Sequence, residues 1–156
     1  MFFTQKTYQN LNKIEISKSA LQYNYRQLQQ LHPEAKVCPV LKSNAYGHGS
    51  TLVAQALDNE GAPFFVLDSL HEAYKLYKAR IKTPLLITGY TFPENFRTKK
   101  LPFHYGIYDL ELARALNAYQ PGVKVHIFVD TGMSREGVLL KDLRLFVQAV
   151  KKLKNI

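Results

Sequence analysis

The chain has 156 residues, with 21 Lys+Arg against 12 Asp+Glu, a formal charge of +9, 46% hydrophobic residues and 12% aromatic. This composition supplies an ordinary globular core, excludes a disordered or collagen-like chain, and at this length is expected to form one domain. No segment approaches the roughly 18 uncharged apolar residues of a membrane span. Met1 to Lys6 has the pattern of neither a secretory leader nor a transit peptide. A single cysteine, Cys38, excludes an internal disulfide framework and a Cys-rich zinc site, and fits a reducing, cytoplasmic setting. The basic surplus marks either an anionic partner or the solvated face of something larger.

Taken in order, Ile14-Glu15-Ile16 is a short strand-like alternation and Ser17 a candidate N-cap. Leu21, Tyr25, Leu28 and Leu31 then recur on one face of a helix that ends at His32-Pro33. Val37 to Leu41 is an apolar run of strand length, whose Pro39 suits an edge position. Leu52, Val53, Ala56 and Leu57 mark a second helix that stops before Gly61, a candidate C′ residue. Phe64 to Leu67 reads as a buried strand. Ser69 and Glu72 have capping-box spacing and open a helix with Leu70, Ala73, Tyr74 and Tyr77 inward.

Leu85 to Ile87 is a third strand, and Thr88 to Lys100 is a loop with room for one short helix. Phe103 to Tyr108 is a weaker fourth strand. Asp109 caps a helix bearing Leu112, Ala115, Leu116 and Tyr119. Val123 to Val129 is the fifth strand, and Leu143, Phe146, Val147 and Val150 mark the last helix. Strands alternating with helices predict a parallel α/β fold. A doubly wound sheet and a (β/α)₈ barrel both satisfy that alternation. No G-x-G-x-x-G follows a strand, as a dinucleotide-binding sheet requires. A barrel takes about 250 residues and eight strands. The five strands here make either a small open sheet or the first part of a barrel.

Two segments carry the chemistry. In Val37 to Gly49 a lysine, Lys42, ends an apolar strand, which puts its ammonium at the C-terminal rim where barrel active sites lie. A rim site can desolvate an amine and prepare it for Schiff-base chemistry. Gly47-His48-Gly49 permits tight backbone geometry, and Ser50-Thr51 opens a helix whose N-terminus could face an anion. In His126 to Gly137 another strand runs into a polar loop with Asp130, Thr131 and Arg135, and arginine there suits capture of a carboxylate or phosphate. Each segment alone also reads as a solvated loop.

Together the two segments resemble a known family. Lys42-Ser43-Asn44-Ala45-Tyr46-Gly47-His48-Gly49 is similar to the cofactor-lysine signature of the alanine racemases. Val129-Asp130-Thr131-Gly132-Met133-Ser134-Arg135-Glu136-Gly137 resembles their second signature, in the same order and separation. The opening Ile14-Glu15-Ile16 and the Ser19 to Asn24 helix also resemble that family.

The resemblance implies an N-terminal TIM-type barrel, here about its first five β/α units over 1–156, a C-terminal β domain without counterpart in this sequence, and a homodimer. It implies pyridoxal 5′-phosphate (PLP) as cofactor and interconversion of L- and D-alanine, the latter for peptidoglycan. By position Lys42 is the lysine that bonds the cofactor and serves as one of two bases. Tyr46 is the contact to its phosphate, and Arg135 lies near its phenolic oxygen and the substrate carboxylate. The second base, a tyrosine of the C-terminal domain, acts across the dimer, so 156 residues alone are expected to be inactive.

The sequence departs from the family at several places. Phe128 stands where the family often has a carbamylated lysine paired with the arginine, so Arg135 must be oriented otherwise. Ser134 replaces the usual glycine, Ser43 the usual alanine, and Pro39 within a first strand is unusual. His48 and His126 are read as structural, Asp130 and Thr131 as shaping the loop that aims Arg135, and Cys38 as packing. No metal site is read. A non-catalytic PLP-binding barrel and a basic nucleic-acid-binding module are the alternatives. The densest basic clusters are Lys99-Lys100 and Lys151-Lys152 with Lys154, and a solvated helix face explains the last. No nucleic-acid-binding motif accompanies them, so a small-molecule substrate, with neither nucleic acid nor membrane, is expected.

Overall fold

The computed structural model describes residues 11–156, so the reading of Met1 to Lys6 lies outside the described residues. Six helical elements and six short strands follow one another along it: α1 (Lys18–Leu31), α2 (Lys42–Tyr46), α3 (Ser50–Leu57), β1 (Phe65–Leu67), α4 (Leu70–Lys78), β2 (Leu85–Ile87), β3 (His104–Ile107), α5 (Leu110–Tyr119), β4 (Val125–Ile127), β5 (Val129–Asp130), β6 (Val138–Leu139) and α6 (Leu140–Val150). A 3-10 turn, Pro93–Arg97, falls within the expected loop after β2.

The main sheet has the order β1-β2-β3-β4, every pair parallel, with Phe65 opposite Leu85, Ile87 opposite Tyr105 and Gly106 opposite His126. A doubly wound sheet reverses its strand order at a switch point. Here each strand is laid beside the previous one in a single direction, as in a TIM-type barrel, and the fold class read from the sequence stands. β5 and β6 form a second parallel pair, which periodicity did not mark.

The strands bury alternate residues. Phe65, Leu67, Leu85, Ile87, Tyr105 and Ile107 are fully enclosed in one core with Leu76 of α4 and Leu112 and Leu116 of α5. The intervening Val66, Leu86, His104 and His126 are half-buried. The second set lies on the face that a barrel turns inward.

Local chemistry sets the helix starts. The hydroxyl of Ser17 accepts from Ala20 N, that of Ser69 from Glu72 N (3.3 Å), and the carboxylate of Asp109 from Leu112 N (2.7 Å), as their sequence positions require. Buried Gln120 holds the 3-10 turn in place. Its amide nitrogen donates to Phe96 O (2.7 Å) and Lys99 O (2.8 Å), and its oxygen accepts from Leu101 N (2.9 Å).

Several expectations are corrected. Ile14 to Ile16 forms no strand. Val37 to Leu41 is joined to the sheet by one bridge, Val40 to Val66, because Pro39 has no N–H to extend the ladder. Its carbonyl accepts from Val66 N, and Leu41 N donates to Val66 O, so the segment lies along the β1 edge. On α1 only Tyr25 is buried, while Leu28 and Leu31 are exposed. On α4 Ala73 is buried and Leu70 and Tyr74 pack against the core as expected, but Tyr77 is 46% exposed and the buried Leu76 takes its place. Gly61 has φ +79 but follows α3 after a further turn, so it does not cap that helix. The fifth strand breaks at Phe128 into β4 and β5.

Candidate active site

Lys42 is half-buried at the start of α2, directly after the segment that lies along β1. The following Ser43, Asn44, Ala45 and Tyr46 all have φ between +52 and +55, so α2 is a turn of left-handed helix built without glycine. That conformation costs an L-residue roughly 1–2 kcal/mol. Such strain persists only where surrounding contacts over-determine it, and it concentrates at functional sites.

The contacts that hold the turn are specific. Ser43 N donates to Glu72 Oε1 (2.6 Å), while Asp68 N, at the end of β1, donates to Glu72 Oε2 (3.0 Å). One carboxylate thereby ties the lysine turn to the end of a core strand. The Glu72 of the capping box therefore completes only half of it, its carboxylate reaching the residue before the N-cap and the lysine turn. Asn44 Oδ1 accepts from Ser50 N (3.1 Å) and caps α3. That helix's first N–H is therefore satisfied by Asn44 and is not turned to an external anion. His48 Nδ1 contacts Ala45 O (2.8 Å) within the same turn. Tyr46, at the far end of the turn, is 66% exposed.

Arg135 lies on the loop between β5 and β6 and is exposed. Asp130 Oδ1 accepts from Gly132 N (2.9 Å) and Ser134 N (3.0 Å), and these bonds hold its carboxyl below the usual carboxylate range. Asp130 thus shapes the loop, as its place in the sequence implies. The loop's return at Gly137 (φ +140) is tight, for a Cβ there would stand 2.5 Å from Asp130 N. Val138 N then donates to Phe128 O (2.8 Å) and closes the loop at its base. Ser134 has φ +55, a glycine-type conformation occupied by serine.

Lys42 and Arg135 share the C-terminal end of the parallel strands but sit at opposite edges, Lys42 beside β1 and Arg135 beyond β4. Four inter-strand steps separate them, about 19 Å followed along the sheet. Tyr90 and Tyr108 follow β2 and β3 at the same end and were not singled out by the sequence. Burial, then the charges of Glu136 and Asp109, raise the Tyr108 hydroxyl above its ordinary value. Among the described residues, no hydrogen bond or ion pair engages the polar ends of Lys42, Tyr46 or Arg135. Among the basic clusters, Lys99 donates to Tyr74 Oη (2.8 Å) and shares that ring with Lys78. No helix among the described residues is long and apolar enough to cross a membrane, and no cluster of three metal-ligating side chains occurs among them.

Unidirectional parallel strands flanked by helices define a TIM-type β/α barrel module, with the strained, lysine-bearing turn at the C-terminal end of its strands. Comparison with known proteins gives the family. Residues 16–156 match the model "Alanine racemase, N-terminal domain", and the chain belongs to that family. It is 38% identical over 149 residues to the alanine racemase of Carboxydothermus hydrogenoformans, a match that covers 91% of this chain and 40% of that protein. It is 35% identical over 126 residues to the serine/alanine racemase of Enterococcus gallinarum, covering 80% and 18%. Among solved structures, alanine racemase of Clostridium difficile 630 superposes with a TM-score of 0.80 at 29% identity, covering 88% of this chain and 38% of that one. The enzyme of Corynebacterium glutamicum gives 0.79 at 30% identity, covering 89% and 41%. The chain therefore spans about 40% of the length of most of these relatives.

Proposed function

We propose that this chain is the cofactor-bearing, N-terminal barrel part of a PLP-dependent racemase acting on alanine. In this reading Lys42 bonds the cofactor and serves as a base, Tyr46 contacts its phosphate, and Arg135 contacts the substrate carboxylate. One observation carries the reading: a half-buried lysine stands directly before four successive left-handed residues, tied by Glu72 to the end of a core strand. The residue chemistry fits the group. Lys42 offers an amine to an aldehyde, Tyr46 an exposed phenol to a phosphate oxygen, and Arg135 a cation to a phenolate or carboxylate.

PLP, when bound, supplies the electron sink that makes an amino acid's Cα proton removable. Displaced from the group by the substrate's own amine, the freed Lys42 Nζ would take that proton and return it on one face. In this reading Asp130 shapes the loop that would present the Arg135 guanidinium to an anion. Inversion requires a base on the opposite face. This reading assigns no such base among the described residues. Homodimer formation, a cytoplasmic setting and supply of D-alanine to peptidoglycan are parts of the same reading.

The test is proton exchange in D₂O with PLP and each enantiomer of alanine, followed by proton NMR. The chain is expected to exchange the Cα proton of one enantiomer without inverting it, and Lys42→Ala to lose that exchange. Exchange no faster than with free PLP, or unaffected by Lys42→Ala, contradicts the proposal.

A further inference from the structure

His104 opens β3 and His126 lies in the middle of β4, both on the half-buried face of the sheet. The register sets Gly106 opposite His126, so His104 is its diagonal neighbour. His104 Nδ1 and His126 Nε2 are 3.2 Å apart, and the rings are tilted by 35° with centroids 5.5 Å apart. Phe64 meets both edge-on, at 4.8 Å from His104 and 5.2 Å from His126, and so walls one side of the pair. The pair stands on the strands themselves, away from the rim where Lys42 and Arg135 lie.

We propose that His104 and His126 together form a two-imidazole site for a divalent transition-metal ion of the zinc type. The spacing suits ligation. With nitrogen–zinc bonds of about 2.0–2.1 Å, nitrogens at this separation subtend roughly 100–106° at the ion, close to the tetrahedral angle. In the free protein one imidazole donates its N–H to the other. On ligation the donor ring moves that proton to its other nitrogen, both imidazoles stay neutral, and the facing lone pairs bond the metal. Water completes the coordination. With nitrogens 3.2 Å and centroids 5.5 Å apart the two rings face each other along the N–N line, so on ligation each ring swings off that line toward the ion.

The local electrostatics favour neutral, ligand-ready rings. Burial first, and for His104 also the neighbouring His126 and Lys124, depress both imidazoles below the usual histidine range. Lys124 is the charged group that bears on the site and opposes a cation there. His32, His48 and His71 are exposed and stand apart from the pair, and His48 Nδ1 is already in contact with Ala45 O.

The experiment is calorimetric titration of the untagged, PLP-free chain with Zn²⁺ at neutral pH. A single saturable site in the micromolar range is expected, weakened at least about tenfold by His104→Ala or His126→Ala and unchanged by His71→Ala. Proton NMR of the wild-type histidine ring signals gives a reading independent of any variant's folding. Zinc is expected to move the His104 and His126 signals first and to leave those of His32, His48 and His71 in place. Absence of saturable uptake, uptake unaffected by both substitutions, or shifts confined to the other three histidines overturns the proposal.

Discussion

The ring of Phe128 occupies the space that a side chain at Gly106 would need: a Cβ at 106 would stand 2.5 Å from Phe128 Cζ. Gly106 on β3 and Phe128 at the break between β4 and β5 therefore form a small–large pair across neighbouring strands. An aromatic ring over a glycine cannot hydrogen-bond a guanidinium, so the Arg135 loop relies on Asp130 and on its closed base at Val138 for its shape.

Gly106→Ala is expected to destabilise the fold by about 1–3 kcal/mol, the cost of forcing a methyl into an occupied space. With Phe128→Ala already present, the added cost should fall by at least about 0.5 kcal/mol, since the two residues touch. Urea unfolding of the two single variants and the double variant measures this coupling directly.

Glu72→Gln replaces an acceptor of two backbone N–H bonds by an amide that can serve only one of them well. The lysine turn then loses its tie to the end of β1. Retention of PLP is expected to weaken about tenfold, for a lost charge-assisted bond of about 1.5 kcal/mol, with Lys42 still present. Equilibrium dialysis with PLP checks this, and circular dichroism separates loss of the turn from loss of the fold.

Gln120→Leu keeps an apolar-compatible volume but leaves Phe96 O, Lys99 O and Leu101 N without their partner in a buried place. An unsatisfied buried group costs about 1–3 kcal/mol, so the sum is expected to reach at least about 3 kcal/mol. A fall in the urea midpoint, with lost protection of the amide of Leu101 in hydrogen exchange, is the expected result.

Asp58 supplies an acid-sensitive contribution. Burial by itself raises its pKa, but bonds from Thr83 N, Lys82 N and Thr83 Oγ1 together outweigh burial and hold the carboxyl below its ordinary 3.8. The folded value lies below the unfolded one, so this contribution is complete above about pH 4 and is lost as the pH falls through the folded value. Asp58→Asn should lower stability at pH 7 and narrow the difference from wild type at pH 2–3. Thermal unfolding across that range reads the change.

Much of the fold was legible because it depends on local signals. Ser17, Ser69 and Asp109 cap helices where an oxygen-bearing side chain precedes an apolar period. Leu85 to Ile87 was found to the residue, since a short apolar run bounded by Pro84 and Thr88 has few other uses. The first strand failed because one missing donor, at Pro39, reduces a ladder to a bridge. β6 was missed because two residues carry no periodicity. Leu28 and Leu31 continue the apolar face of α1, but whether a partner covers that face is a tertiary property.

The site was legible in its types and order more than in its geometry. Lys42, Tyr46 and Arg135 stood out through the two signatures, and Asp130 as a loop former. The left-handed turn did not, because serine, asparagine, alanine and tyrosine do not announce positive φ as glycine does. Glu72 was marked by its capping spacing, but its hold on Ser43 spans 29 positions and could only be seen in three dimensions. The His104–His126 pair likewise depends on strand register, which sequence alone leaves open.

The central claim is that Lys42 is the residue that bonds PLP. Incubating the chain with PLP, reducing with borohydride and mapping the modified peptide by mass spectrometry tests it most directly. The expected result is a phosphopyridoxyl group concentrated on Lys42, reduced by Glu72→Gln and absent from that peptide in Lys42→Ala. Modification spread over the exposed lysines with none concentrated on Lys42 would contradict it.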